Sequence, residues 1–244
     1  MLRWILILFI ITGGAFLTYH RGKLSLKGAI TGAMVAVVIY SGTGVAGLVM
    51  MAVFFGSAVL ATQWRMPEKE TLRLAERDKG RRNAWQVLAN AGAAALFALC
   101  ALFSADPHLV LLVAACFSAA TADTLSSELG TLYGKKFYNI ISLKRDTRGR
   151  DGVISLEGTL IGIGGSSLIA IVYALFFNWD VNFYFIIIAG TAGNLVDSLL
   201  GATAERKHLM SNDLVNFTCT LFAAAVMEAL YQVYFFYLDP SRLF

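Results

Sequence analysis

Long apolar runs alternate with short polar breaks along this chain, and the runs have the lengths a bilayer demands. A helix crossing the hydrocarbon layer needs about 20 residues, with about 17–25 tolerated. On that template the pattern predicts spans at residues 2–19, 25–41, 43–62, 84–104, 107–122, 159–177, 183–203 and 214–237. The second and fifth are short, which tilt or partial re-entry accommodates. The expected fold is therefore all-α: a polytopic membrane protein of about eight transmembrane helices, forming a single integral membrane domain over residues 1–244. Two longer loops are expected at about 63–83 and 123–158. The first run begins with Arg3 and has the look of a secretory signal. It lacks a small-residue cleavage site, and "TGGAFLTYH" leads directly into the next segment, so it reads as a retained span.

Composition agrees. Of 244 residues, 57% are hydrophobic and 15% charged, and the mean hydropathy of +0.66 lies outside the range of soluble domains. Charge then orients the spans. Arg21, Lys23 and Lys27 follow the first span, and Arg65, Lys69, Arg73, Arg77, Lys79, Arg81 and Arg82 follow the third. Lys135, Lys136, Lys144, Arg145, Arg148 and Arg150 follow the fifth, and Arg206 and Lys207 the seventh. These are 18 of the 20 Lys and Arg, with Arg3 and Arg242 at the termini. The turns "SGTG", "SADPH" and "NWDVN" carry none. The positive-inside rule puts the four basic loops in the cytoplasm and both termini outside, in a multi-pass protein of the cell membrane. The net charge of +4 calls for no nucleic acid. Anionic headgroups match a basic face, at about 1 kcal/mol per residue near the surface. "RMPEKETLRLAERDKGRR" alternates in sign and reads as a solvated surface helix. Cys100, Cys116 and Cys219 stand inside apolar runs without metal or disulfide spacing and read as small core residues.

Polar residues gather in four places. In "RRNAWQVLANAG", Asn83, Gln86 and Asn90 are spaced i, i+3, i+7 and share a helical face. "DTLSSELG" ends the fifth span with Asp123, Ser127 and Glu128. In "GTAGNLVDSLLGA", Asn194, Asp197 and Gly201 repeat the i, i+3, i+7 spacing beside Ser198, and "SNDLVNF" supplies Asp213 and Asn216. The topology sets all four in the cytoplasmic half of the membrane. Asp197, six residues before its span ends, would lie about 9 Å deep at a rise of about 1.5 Å per residue. Ionisable groups at such depth are costly and mark function. A single amide or hydroxyl there more often ties helices together; carboxylates and amides from several helices on one side favour a site. Glu228 lies toward the other side and reads equally as a bundle contact. His20, His108 and His208 sit at span ends and read as interfacial.

The loop "SLKRDTRGRDGVISLEGTLIGIGG" adds the complementary charge through Lys144, Arg145, Arg148 and Arg150, ahead of Gly149, Gly152 and Gly158. Glycines let backbone N–H groups approach an anion, and a helix N-terminus attracts phosphate. A positive-inside loop with flexible turns would show the same composition. There is no P-loop, GxSxG or HExxH pattern. Carboxylates facing a basic, glycine-bearing loop suit Mg²⁺ bridging phosphates, as in phosphoryl transfer between a soluble nucleotide and a lipid.

"GRRNAWQVLANAG", "ADTLSSELG", "GRDGVISLEGT" and "AGNLVDSLLGA", in this order and spacing, resemble the phytyl-phosphate kinase family, which includes transmembrane protein 19. The resemblance covers roughly residues 20–230. That family is distantly similar to dolichol and phytol kinases and to CDP-diacylglycerol synthases. The resemblance implies an isoprenyl monophosphate kinase that uses a nucleoside triphosphate, with CTP favoured. It points to Asn83, Gln86 and Asn90, to Asp123, Ser127 and Glu128, to Gly152, Ser155 and Gly158, and to Asn194, Asp197 and Ser198. One departure is "TRGRDGV", where the family's loop runs closer to G-T-x-G-G; the extra charge bears on nucleotide or headgroup preference.

The expected roles follow. Asp123, Glu128 and Asp197 ligate Mg²⁺. Lys144, Arg148 and the backbone around Gly149–Gly158 neutralise nucleotide phosphates. The span-four amides, with Asn216 nearby, position a prenyl monophosphate whose tail lies in a cleft between spans. A CTP-dependent lipid cytidylyltransferase and a lipid-phosphate transporter or flippase are the alternatives. The small-xxx-small pairs Gly28/Gly32 and Gly158/Gly162 allow tight packing within a chain or in a homo-oligomer. Glu128 stands about 140° around an unbroken helix from Asp123. Shared ligation therefore predicts that the helix ends or distorts within "DTLSSELG".

Overall fold

The computed structural model describes residues 1–75, 80–104 and 106–237, so Arg77, Lys79 and Arg242 of the charge pattern lie outside the described residues. The elements, in order, are α1 (Leu2–His20), α2 (Leu26–Gln63), α3 (Met66–Thr71), α4 (Ala84–Ser104) and α5 (Leu109–Tyr133). They continue with β1 (Tyr138–Asn139), β2 (Val153–Ile154), α6 (Leu156–Phe176), α7 (Val181–Leu200), a π-helical stretch (Gly201–Glu205) and α8 (Asn212–Tyr237). The fold is all-helical apart from the small hairpin. Among the described residues seven helices are long and apolar enough to cross a membrane.

Expected spans two and three are the two arms of α2. Gly44 breaks the 38-residue helix with φ 67° and ψ −153°, a conformation that glycine enters without a Cβ clash. Leu48 and Met51 of the second arm pack against the cluster that Ala36 and Tyr40 of the first form with Ile7 and Ile11 of α1. Phe54 of the second arm reaches Arg82, which is bonded to Lys23 and Ser25 at the start of the first, so the second arm folds back along the first. The "SGTG" turn is therefore where the sequence placed it. With α2 divided at Gly44, the seven helices supply the eight apolar segments that the sequence predicts.

α5 is the central helix. It touches α2, α4, α6, α7 and α8, and Val113, Ala114, Ala115, Cys116 and Phe117 are fully buried. Small residues let its neighbours come close, as in other membrane bundles: a Cβ on Gly130 would stand 2.6 Å from the Cα of Gly158 on α6. Phe9 and Phe16 on α1, Phe103 on α4 and Leu175 on α6 point outward and suit lipid. α1 packs against α2 and is otherwise largely exposed.

Two expected boundaries need correction. The fifth span continues without a break to Tyr133, so the loop begins at Gly134 rather than at residue 123, and no helix end falls within "DTLSSELG". Hydropathy stops too early because it measures compatibility with lipid, whereas this last stretch of α5 is enclosed by protein: Thr124, Glu128 and Gly130 are buried. The other end of that loop also moves, since α6 starts at Leu156, capped by Ser155. The expected surface helix over 65–82 is, among the described residues, the six-residue α3, and one of its charges is buried. Lys69 is only 1% exposed. Its ammonium donates to the carbonyls of Ala61 (2.7 Å) and Thr62 (3.3 Å) at the C-terminal end of α2 and pairs with Glu128. A cation at that end meets unsatisfied carbonyls and the negative pole of the helix dipole.

Candidate functional site

The end of the bundle that carries the basic loops holds a polar cavity of about 220 Å³. α5 contributes Asp123, Ser126 and Ser127; α7 contributes Asn194, Asp197 and Ser198; α8 contributes Asn212 and Asn216; α4 contributes Gln86 and Asn90. The hairpin and the start of α6 add residues 149–155, Gly158 and Thr159, and Arg82, Gly201 and Glu205 also line the cavity. Four polar groups widely separated in the sequence are thus one site.

Local chemistry fixes each wall. The Ser126 hydroxyl donates to Asn194 Oδ1 at 3.0 Å, which registers α5 against α7. Gly162 makes room there, since a Cβ would stand 2.5 Å from Asn194 Nδ2. Asp197 accepts from the Cys219 thiol at 3.6 Å and lies within hydrogen-bonding reach of the Asp123 carboxyl. Ser155 caps α6 by accepting from Gly158 N at 3.0 Å, so the N-terminus of a 21-residue helix opens on the cavity beside Thr159. Such a terminus presents unpaired N–H donors to an anion.

The loop between α5 and α6 is clamped from outside. Arg206 donates through Nη2 to Asp146 at 2.8 Å and through Nε to the Asp151 carbonyl at 2.6 Å. Gly152 takes φ +69°, and a Cβ there would stand 2.3 Å from Ala202 N, so the loop lies directly on the π-helical stretch. The Thr147 backbone N–H and the Arg206 guanidinium hold the Asp146 carboxyl below the usual aspartate range. Because the folded value is the lower one, the clamp is fully made above the ordinary pKa of about 3.9 and is lost as pH falls through the lowered value. Protection factors from hydrogen exchange over residues 138–154 should therefore stay flat from neutral pH to about 4 and drop below it. Asp146→Asn should lower them already at neutral pH.

Several expected roles need correction. Glu128 lies outside the cavity: Lys69 pairs with one of its oxygens and Thr62 Oγ1 donates to the other at 3.0 Å. On an unbroken α5 it faces α2 and α3, away from Asp123, so it does not join a shared metal site. Lys144 is exposed and lies outside the cavity wall; the cavity's arginines are Arg82 and Arg150. Arg148 donates to the Leu132 carbonyl at 3.0 Å and stacks over Phe137, capping the end of α5 instead of lining the cavity. Asn83 is the N-terminal cap of α4. Its Oδ1 accepts from Trp85 N and Gln86 N, while Gln86 Oε1 accepts from Asn83 N, a reciprocal capping box. Glu228 belongs to the other end, paired with His108 and bonded to Gln232 at 2.8 Å, so it is a bundle contact.

Asp151, which stands inside "GRDGVISLEGT" without an expected role, and Glu205, beyond the quoted motifs, are further wall residues, and they bring the acidic count of the wall to four against two arginines. Asp151 lies close enough to Asp197 and Glu205 to act on both electrostatically. The available signal was an acidic residue beside each glycine-bearing turn, "GRDG" and "GATAE". No three carboxylate, thiol or imidazole groups among the described residues form a ready-made cage for a metal. A paired Asp123 and Asp197 still fit Mg²⁺, which keeps several waters and takes one or two carboxylates plus substrate phosphates.

A model of the integral membrane protein family DUF92 matches residues 9–224. An uncharacterized membrane protein of Methanocaldococcus jannaschii, MJ0933, is 32% identical over 85% of this chain and 86% of its own length. An uncharacterized membrane protein of Synechocystis, sll0875, is 34% identical over 79% of this chain and 77% of its own. Protein VTE6, chloroplastic, of Arabidopsis thaliana is 30% identical over 79% of this chain and 61% of its own. No solved structure matches.

Proposed function

The chain belongs to the DUF92 family of integral membrane proteins, and from that premise we propose that it is a Mg²⁺-dependent isoprenyl monophosphate kinase. It would transfer the γ-phosphoryl group of a nucleoside triphosphate, CTP favoured, to a phytyl-like prenyl phosphate, giving the prenyl diphosphate. The observation that carries this reading is the Asp123–Asp197 pair facing the capped N-terminus of α6 across one cavity. A wall with four acids and two arginines repels bare phosphate, so a substrate rich in phosphate enters with a cation. The cavity of about 220 Å³ is below the roughly 300–1,000 Å³ of sites that enclose a whole small molecule, so it suits the phosphates and leaves the nucleoside at the mouth. The motif resemblance selects the prenyl class.

In this mechanism Asp123 and Asp197 would hold Mg²⁺, which supplies charge neutralisation across the phosphates. The α6 N-terminus, Thr159 and Arg150 orient the triphosphate, while Gln86, Asn90 and Arg82 hold the lipid phosphate. A non-bridging oxygen of that phosphate attacks the γ-phosphorus, the bond to the β,γ-bridging oxygen breaks, and the nucleoside diphosphate leaves. The nucleophile is already anionic, so no general base is needed. Positioning and charge neutralisation do the catalysis. The polar groups gather at one end of the bundle, whereas transporters usually place them near the midplane. The positive-inside pattern would put that end in the cytoplasm of the cell.

Purified protein with Mg²⁺, CTP or ATP and a panel of prenyl monophosphates tests the proposal by product mass. A product heavier than its substrate by one phosphoryl group is expected. A product carrying a cytidylyl group, or none with any pair, would overturn it.

A further inference from the structure

A second cavity of about 250 Å³ lies between α1, both arms of α2 and α4. It is walled by small and apolar side chains, including Gly14, Gly32 and Ala33 and, from the second arm, Met51 and Phe55. Arg82, Gln86 and Asn90 line both this cavity and the polar one. The two spaces therefore share a wall at the start of α4. Arg82 is buried at that junction, with its guanidinium 5.8 Å from the ring centre of Phe54. It is fixed by the backbone: Arg82 N donates to Lys23 O at 3.0 Å, and Ser25 N donates to Arg82 O at 2.9 Å.

We propose that this cavity is the tail channel of the acceptor lipid, and that it admits a single hydrocarbon chain with the phosphate held at Arg82, Gln86 and Asn90. The inference rests on the kinase reading only for the chemistry at the phosphate. A cation and two amides at the seam between a polar and an apolar cavity match a molecule that is ionic at one end and hydrocarbon beyond it. A charge held at such a seam keeps the ionic head out of the apolar space, where burial without a partner is costly. The wall on α1 runs from Thr18 to Ile10, about 12 Å at a rise of about 1.5 Å per residue. A longer tail leaves sideways past α1, which has few neighbours other than α2 and lies open to lipid. The cavity of about 250 Å³ has room for one chain, so a diacyl lipid would have to leave its second chain outside. Glycines keep it open. A Cβ on Gly14 would meet nothing within 4 Å and one on Gly32 only Leu24 Cδ1 at 3.8 Å, so larger side chains enter the cavity without displacing the backbone.

The probe is a prenyl monophosphate with a photoreactive group near the tail end, added to the protein in nanodiscs without nucleotide or divalent cation. Labelling is expected within residues 10–18, 29–36 and 48–55, displaced by unlabelled prenyl monophosphate and not by a diacyl phosphatidate. Gly14→Phe and Gly32→Phe should each cut the labelling at least tenfold, whereas Gly13→Phe, on the adjoining face of α1, should leave it unchanged. In phosphoryl-transfer assays the two bulky variants should shift preference toward shorter chains, seen as a raised KM for long ones. Labelling confined to α6, α7 or α8, labelling undiminished in both bulky variants, or equal displacement by phosphatidate would overturn the inference. The wild-type label position decides even if a bulky variant does not fold. The expected labelling without any phosphoryl transfer would refute the kinase reading and leave the tail channel standing.

Discussion

Asp197→Asn should lower phosphoryl transfer about a thousandfold while leaving the protein folded, a loss of about 4 kcal/mol of transition-state stabilisation. The substitution keeps the shape of the side chain and an oxygen to accept from the Cys219 thiol. What it removes is one of the two adjoining carboxyls at the α5–α7 contact, and with it one anionic oxygen that a cation could use. Asp123→Asn should cost about as much, because the two carboxylates act as one unit, and the double variant little more than either alone. Initial rates across a Mg²⁺ titration, with thermal unfolding as the control, are the measurement. A rate within tenfold of wild type in Asp197→Asn would remove the pair from the chemistry.

Lys69→Ala should destabilise the fold by about 3–5 kcal/mol, because it leaves Glu128 charged and buried without its partner. Lys69 is 1% exposed and Glu128 7%, and the same ammonium serves two carbonyls at the end of α2. Lys69→Met combined with Glu128→Gln should recover much of the loss, since the stranded charge is then gone. Glu128→Gln alone should leave the midpoint of Mg²⁺ activation unchanged. Thermal unfolding and Mg²⁺ activation curves of the three variants separate a structural pair from a metal ligand. If Glu128→Gln kept its melting temperature and lost Mg²⁺ dependence, the ligand role would return.

Those two outcomes bear on residues that look alike in the sequence. Asp123 and Glu128 sit five apart in one motif, and only the full course of α5 separates them. The chain's apolar runs gave the span count because bilayer thickness imposes run length, and the "SGTG" turn was visible because glycine punctuates. Asp197, Asn194 and Asp123 were legible because polar groups inside apolar runs need a reason. The remainder depended on contacts no local pattern encodes. Sign alternation around Lys69 suggested solvent, whereas its ammonium reaches a helix end and a carboxylate 59 residues away. The amides of Asn83 and Gln86 are spaced for one helical face, yet Asn83 Oδ1 accepts from Trp85 N and Gln86 Oε1 accepts from Asn83 N, so both cap α4. Lys144 and Arg148 stood out by charge, but Arg82 and Arg150 line the cavity because Leu24 and the Arg206 clamp fix the segments that carry them. Pairing across the loop, and not charge density, decides which arginine faces the site.

If Asp123 and Asp197 serve transfer of a terminal phosphoryl group to a prenyl phosphate, the phosphate that reaches the lipid comes from the γ position. CTP labelled at the α- or the γ-phosphate, incubated with the protein, Mg²⁺ and a prenyl monophosphate, tests it most directly. γ label is expected in the lipid product, with none from α-labelled CTP and loss of the γ signal in Asp197→Asn. Label from the α position in the lipid, with release of diphosphate, would contradict it.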